Sequence, residues 1–437
     1  MSEVSPETKE KLIKTFSATI EELWPLVLIS VSAYESFRKD LDSNTFSNDL
    51  IPKIKQAKAL HRLNYLTLFT SVDLAVILKA ELTTSDNAAR RCLLRFANVI
   101  IRESVSAFGG FGKTKKQAFK ELENAFPSSE DKAIIEQLKK ALESYSSLPE
   151  DNFGINKEYR DLSVHYDHQS IRAYDYFSSI SEETECQRIC AFIKILQEDV
   201  MPIINKRINL LGVVPVSTKR FVDINKDELP LIDQIGLLQF SSYEIIQISI
   251  SLAKMKTQYA NINYLKSIDF RLLIPYDEME SSLNLQTFLQ LINLDVLVML
   301  NACIRSKTFI EKVLLLRRVN VFIYEGVKKL IGYTAEERAI AFWPNYLRYQ
   351  NSSVHRDIEN QLIKFALEQD DQLRNYSVHY YDNSTKQDNI YELINGIFEM
   401  SIRTEQHRAH DLLKITKQIS KQMADDTEKK LIHIANI

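Results

Sequence analysis

The sequence predicts an all-α protein built as two tandem helical bundles. Three observations point there. Glycine is scarce, Leu/Ile/Lys/Glu-rich segments run long at helical spacing, and a set of these segments recurs in the same order about 220 residues later. Only nine glycines and ten prolines occur in 437 residues, too few for the tight turns that sheet-rich folds need. Hydrophobic residues make up 45% and charged residues 26%, as in an ordinary soluble globular chain long enough for two or three domains.

The elements follow in order. Ser5-Pro6-Glu7 is a helix start, with serine as N-cap and proline at the first helical position. The charged N-terminus lacks the apolar core of a signal peptide, and the longest apolar run, Trp24 to Val31, is too short to span a bilayer. No membrane segment is therefore expected. Leu94, Ala97, Ile101, Val105 and Phe108 recur at helical spacing, and Gly109-Gly110 ends that helix. Arg95, Asn98 and Arg102 share a polar stripe opposite part of this apolar face; its recurring residues either line a cleft and orient other side chains there or make an ordinary interhelical salt bridge. A further helix follows Ser129 through Ala133–Tyr145. Arg207 to Gly236 contains Gly212, Pro215 and Pro230 without a helical period and reads as a linker with room for a short strand pair.

The second half repeats the first. At an offset of 222, Leu93–Val105 lies over Leu315–Val327 with eight of thirteen positions identical. The same register pairs Asp73 with Asp295, Leu78 with Leu300, Arg95 with Arg317, Asn98 with Asn320 and Gly110 with Gly332. There Ser306 is the expected cap of the matching helix and Gly332 its end. At an offset of 220, Thr184–Gln197 resembles Thr404–Lys417. The offset changes where inter-helix loops are expected, as in a drifting duplicated unit. The boundaries read as unit one, 1–205, a linker, 206–235, and unit two, 236–437, each a bundle of about four or five helices.

Between these segments stands the pattern with chemical content. Arg160-Asp161-Leu-Ser-Val-His165-Tyr166 recurs as Arg374-Asn375-Tyr-Ser-Val-His379-Tyr380, identical at five of seven positions and offset by 214. Arginine brings a permanent charge and a planar donor fork suited to phosphate. Histidine exchanges a proton near neutral pH. Five positions put Arg and His about 140° apart on an ideal helix, so convergence needs a bent helix start, the reach of arginine or a second copy facing the first. Cleavage of RNA without metal needs a base for the 2′-hydroxyl, an acid for the leaving 5′-oxygen and a cation for the charged transition state. Two histidines and two arginines, one of each per half, supply that set.

Arg-(Asn/Asp)-x-x-x-His in a small helical bundle resembles the HEPN superfamily, whose motif marks metal-independent ribonucleases that work as dimers. The resemblance covers both units, and so most of the chain. It implies Arg160, His165, Arg374 and His379 as catalytic residues, Asp161 and Asn375 as their companions, an intramolecular pseudo-dimer and no cofactor. It further implies an RNA substrate, transfer or messenger RNA, a bacterial toxin or anti-phage role by abortive infection, and a regulatory protein or ligand that restrains the enzyme. Asn375 is the commoner form. Asp161 adds a negative charge that weakens phosphate binding or raises the pKa of its histidine. The alternative is a catalytically silent module binding RNA, nucleotide or protein, as a subunit of a defence complex.

Weaker features surround the motif. Tyr166 and Tyr380, with Tyr159, Tyr376 and Tyr381, offer rings on which bases stack; half-buried helix tyrosines are the ordinary alternative. Lys113, Lys115 and Lys116 stand on a loop that would guide RNA, though the matching "GYTAEERA" is acidic and a solvated loop explains both. A net charge of −3 gives no general attraction to nucleic acid, so any RNA must meet a local patch. Cys92, Cys186, Cys190 and Cys303 form neither a disulfide framework nor a zinc set, and reduced thiols fit a cytoplasmic protein. The remaining histidines, His61, His355, His407, His410 and His433 among them, form no metal constellation. No Gly-rich phosphate loop, GxSxG or HExxH occurs.

Overall fold

In a computed structural model, the described residues are 5–43, 47–108, 118–146, 170–214, 228–267, 276–350, 355–367 and 389–435. Among them the chain is helical throughout, without a strand. The N-terminal half holds α1 (Pro6–Asp42), α2 (Ile51–Thr83), α3 (Asn87–Phe108), α4 (Ala118–Ala125), α5 (Ser129–Ser146), α6 (Ser170–Ser179) and α7 (Glu182–Lys194). From α7 a π-helical segment, Ile195–Val200, runs straight into α8 (Met201–Leu211). The C-terminal half holds α9 (Leu231–Ser267), α10 (Tyr276–Arg305), α11 (Phe309–Ile331), α12 (Ala335–Ile340), α13 (Phe342–Leu347), α14 (His355–Leu367), α15 (Asn389–Glu399) and α16 (Ile402–Ala435). Each half thus has more helices than the four or five expected, because short ones divide the connections.

Helix boundaries follow local chemistry. Ser5 caps α1 by accepting from the Thr8 amide at 3.2 Å, with Pro6 at the first position. Gly332 ends α11 at φ +69°, where a Cβ would collide with the backbone of Glu337 and Arg338. The cap at the start of α11 is Thr308, which accepts from the Glu311 amide, and not Ser306. Ser306 instead donates to the Ala302 carbonyl at 2.9 Å and finishes α10. The "GYTAEERA" stretch is the start of α12, closed by a capping box between Thr334 and Glu337. The expected linker is partly helical: α8 continues to Leu211, ends on left-handed Gly212, and α9 begins at Leu231.

The core is organised around α2 and α10. Both are buried nearly all round, α2 from Ala57 to Leu82 and α10 from Leu283 to Cys303, except for a few half-buried positions, as apolar helices without a polar face must be. α1 lies along α2 and α9 lies along α10. The inner face of α9, Ser241, Ile245, Ile248, Leu252, Met255 and Tyr259, repeats every three or four residues and is buried. α13 brings Trp343 fully inside, and Tyr346 donates to Asp426 of α16 at 2.8 Å, giving a buried hydroxyl its partner.

Among the described residues two helices, α1 and α10, are long and apolar enough to cross a membrane. The run Trp24 to Val31 is thus the middle of a longer apolar helix. Protein covers 83% of the apolar window in α10 and 44% of that in α1, so α10 is apolar because it is core.

Candidate functional site

Both motifs fall between helices that correspond at the sequence offset, α5 with α14 and α6 with α15. Arg160, Asp161, His165 and Tyr166 fall between α5 and α6, and Arg374, Asn375, His379 and Tyr380 between α14 and α15; all eight lie outside the described residues. So do Lys113, Lys115 and Lys116, between α3 and α4. What is described is the frame from which the motif segments emerge.

That frame crosses over. α6, directly after the first motif, packs on α10 of the other half: the Ser170 hydroxyl donates to the Asn284 carbonyl at 2.8 Å. Asp175 of α6 also pairs with Lys256 of α9 at 2.8 Å. α15, directly after the second motif, touches α1 of the N-terminal half, with Phe398 and Trp24 ring centres 6.4 Å apart.

The two halves meet along a seam of buried charge. Arg95 of α3 binds Asp295 of α10, and Arg317 of α11 binds Asp73 of α2 at 2.5 Å. All four are at most 1% exposed. Of the stripe read as polar on α3, Arg95 and Asn98 are buried and Arg102 is half-buried; a carboxylate from the other half meets Arg95. The two ion pairs are the same pair shifted by 222 residues at each partner. Arg318 also binds Asp73. Residues that are mates at this offset touch each other: Val99 packs on Val321, the Arg318 guanidinium sits 4.6 Å over the Phe96 ring, and Arg305 donates to the Thr83 carbonyl at 3.1 Å.

A second polar cluster recurs at the offset of 220. Arg188 binds Glu185 and donates to the Asn98 amide oxygen; Arg408 binds Glu405 at 3.3 Å. Burial pushes the Glu185 carboxyl up, against the pull of Arg188. Asn320, mate of Asn98, is 5% exposed and its side chain has no hydrogen-bond partner among the described residues. The two halves are alike in plan and unequal in detail.

One surface has a chemistry that the sequence reading passed over. On α16, Arg403, His407, His410, Lys414, Lys417 and Lys421 are all exposed and follow one another at steps of four and three. They form one stripe about 27 Å long at 1.5 Å per residue. Asp411, 3.4 Å from Lys414, is the acidic neighbour on its edge. His407 donates through Nδ1 to the Arg403 carbonyl at 2.7 Å, which leaves Nε2 for a ligand. Partial burial, then Lys414, holds the His410 pKa below its usual value. The matching positions of the N-terminal half are Glu183, Gln187, Cys190, Lys194, Gln197 and Met201, so the stripe belongs to one half alone. Its signal, basic residues recurring every three or four positions, is present in the sequence.

Other features are less suited to an anionic polymer. An open groove of about 430 Å³ is lined by Asp277, Glu280, Asn345, Phe342 and Tyr349, and its carboxylates repel phosphate. The four cysteines are free thiols; Cys92 and Cys303 are buried, and burial holds Cys303 up at about 12. Among the described residues no group of His, Cys, Asp and Glu is arranged to hold a metal ion. No family model, no curated protein and no solved structure matches the chain.

Proposed function

We propose that the protein is a metal-independent endoribonuclease of HEPN type, made of two duplicated helical units packed about a pseudo-twofold axis. The observation that carries this reading is the crossed pair Arg95–Asp295 and Arg317–Asp73. Two equivalent contacts at one sequence offset are what a twofold arrangement requires, and mates touching each other mark its axis. The motifs leave this frame at equivalent points, each followed by a helix that packs on the opposite half.

In the composite site, one of His165 and His379 takes the 2′-hydroxyl proton as that oxygen attacks the adjacent phosphorus. The other gives a proton to the departing 5′-oxygen. Arg160 and Arg374 hold the phosphate and stabilise the added negative charge of the transition state. The products are a 2′,3′-cyclic phosphate and a 5′-hydroxyl. The α16 stripe supports an RNA substrate, since its cations are spaced to follow a phosphate backbone. A bacterial toxin or anti-phage role rests on the resemblance alone.

The test is incubation of the purified protein with RNA in EDTA. The reading requires cyclic-phosphate ends that disappear in His165→Ala and His379→Ala. A second reading, a silent RNA-binding module, is favoured by Asp161, whose charge opposes phosphate beside Arg160. RNA that is bound and stays intact from pH 6 to 8 would decide for it.

A further inference from the structure

The helix α9 is apolar on two opposite sides. Its inner side packs on α10 as described. Its outer side carries Ile232, Ile235, Phe240, Tyr243, Ile246 and Ile250, all exposed, with Ile232 at 75% and Tyr243 at 61%. At about 100° per residue these fall within one band centred opposite the buried residues. The corresponding helix of the other half, α1, exposes only Leu26 and Ile29 among its large apolar residues. Helices apolar on both sides are normally covered on both sides, and an exposed contiguous apolar band of this size marks an interaction surface.

We propose that the outer face of α9 is the contact between two copies of this chain, paired antiparallel about a twofold axis at Tyr243. Three features select a second copy. First, the area fits. The band presents on the order of 600 Å² per copy, at the lower end of the roughly 600–1,000 Å² per partner of a specific stable interface. Second, the band is self-complementary. With Tyr243 on the axis, Phe240 of one copy meets Ile246 of the other. Gly236, which has open space where a Cβ would stand, receives Ile250. Third, the charges agree. Lys254, exposed just past the C-terminal end of the band, lies opposite Ile232 of the other copy and beside Asp233, exposed at the band's edge, so opposite charges come together across the pair; between the apolar positions the band carries no charged side chain, and Gln239 of one copy meets Gln247 of the other. The contact is isologous and closes at two copies. It does not rest on the proposed nuclease activity.

The experiment is sedimentation equilibrium of the full chain over a wide concentration range, for the wild type and for Ile246→Glu/Ile250→Glu. Both substituted positions are exposed, so the circular dichroism spectrum should stay that of the wild type. The wild type is expected to be a dimer, with the double variant weakened on the order of 100-fold or more. In a Cys190→Ser background, Tyr243→Cys should give a reducible dimer on mild oxidation, because each copy meets its own mate at the axis. A wild type that stays monomeric throughout overturns the proposal. So does a dimer that the double variant leaves unchanged. Flotation of the wild type with phospholipid vesicles, lost in the double variant, would also overturn it by making lipid the occupant.

Discussion

Arg317 and Asp73 meet at 2.5 Å in the interior, although 244 residues separate them. Asp73 also takes Arg318, so one carboxylate answers two guanidinium groups. Removing one partner of a buried ion pair costs about 3–5 kcal/mol, because the remaining charge keeps its desolvation penalty. Asp73→Ala should therefore lower the denaturation midpoint more than Asp295→Ala. Arg95→Met with Asp295→Leu should recover most of the Asp295→Ala loss, since an apolar pair of similar volume carries no such penalty. Urea titration followed by circular dichroism measures all three.

A pH dependence follows from His61. Burial pulls its pKa down to about 4, against about 6.5 in an unfolded chain. Between those values the unfolded chain binds the proton and the folded one does not. Stability is complete above pH ~6.5 and falls as the pH drops toward 4, by about 3 kcal/mol from this residue alone. His61→Leu should flatten that limb, as read from denaturation midpoints between pH 7 and 4.

Gly332 should resist substitution. Its φ of +69° and the nearby backbone of Glu337 and Arg338 exclude a side chain. Gly332→Ala is expected to cost about 1–3 kcal/mol, read as a lowered thermal midpoint.

The basic stripe has a salt signature. Lys414→Glu/Lys417→Glu/Lys421→Glu should weaken binding of single-stranded RNA and reduce the slope of log K against log salt by about 2, at roughly 0.7 per lost phosphate contact. Fluorescence anisotropy at several ionic strengths gives the slope. An unchanged slope would remove α16 from the RNA-binding surface.

Much of the helical plan is legible in the sequence. Ser5-Pro6 marks a start and Gly332 an end, because capping is local chemistry. The offset of 222 is visible because core helices tolerate few changes. What escapes is whatever depends on a distant partner. An interhelical salt bridge is one of the two readings open to Arg95, but that its partner is Asp295, 200 positions away, only the fold shows. Ser306 and Thr308 are both plausible caps, and only the path of the chain selects Thr308. The π-helical segment at 195–200 has no marker in the sequence, and α8 and α9 extend into a stretch where Gly212 and Pro230 obscure the period. The α16 stripe was readable, since it needs only spacing. The motif segments themselves lie outside the described residues, so their chemistry rests on the repeated pattern and the frame around it.

The Phe96–Arg318 contact has a consequence for assembly. A ring faces a guanidinium at a position where, in a pair of identical halves, like would face like. Two C-terminal halves meeting through this surface would press two arginines together away from water. Two N-terminal halves would forfeit the cation that sits on the ring. At this surface, then, each half is chemically suited to the other and not to a second copy of itself.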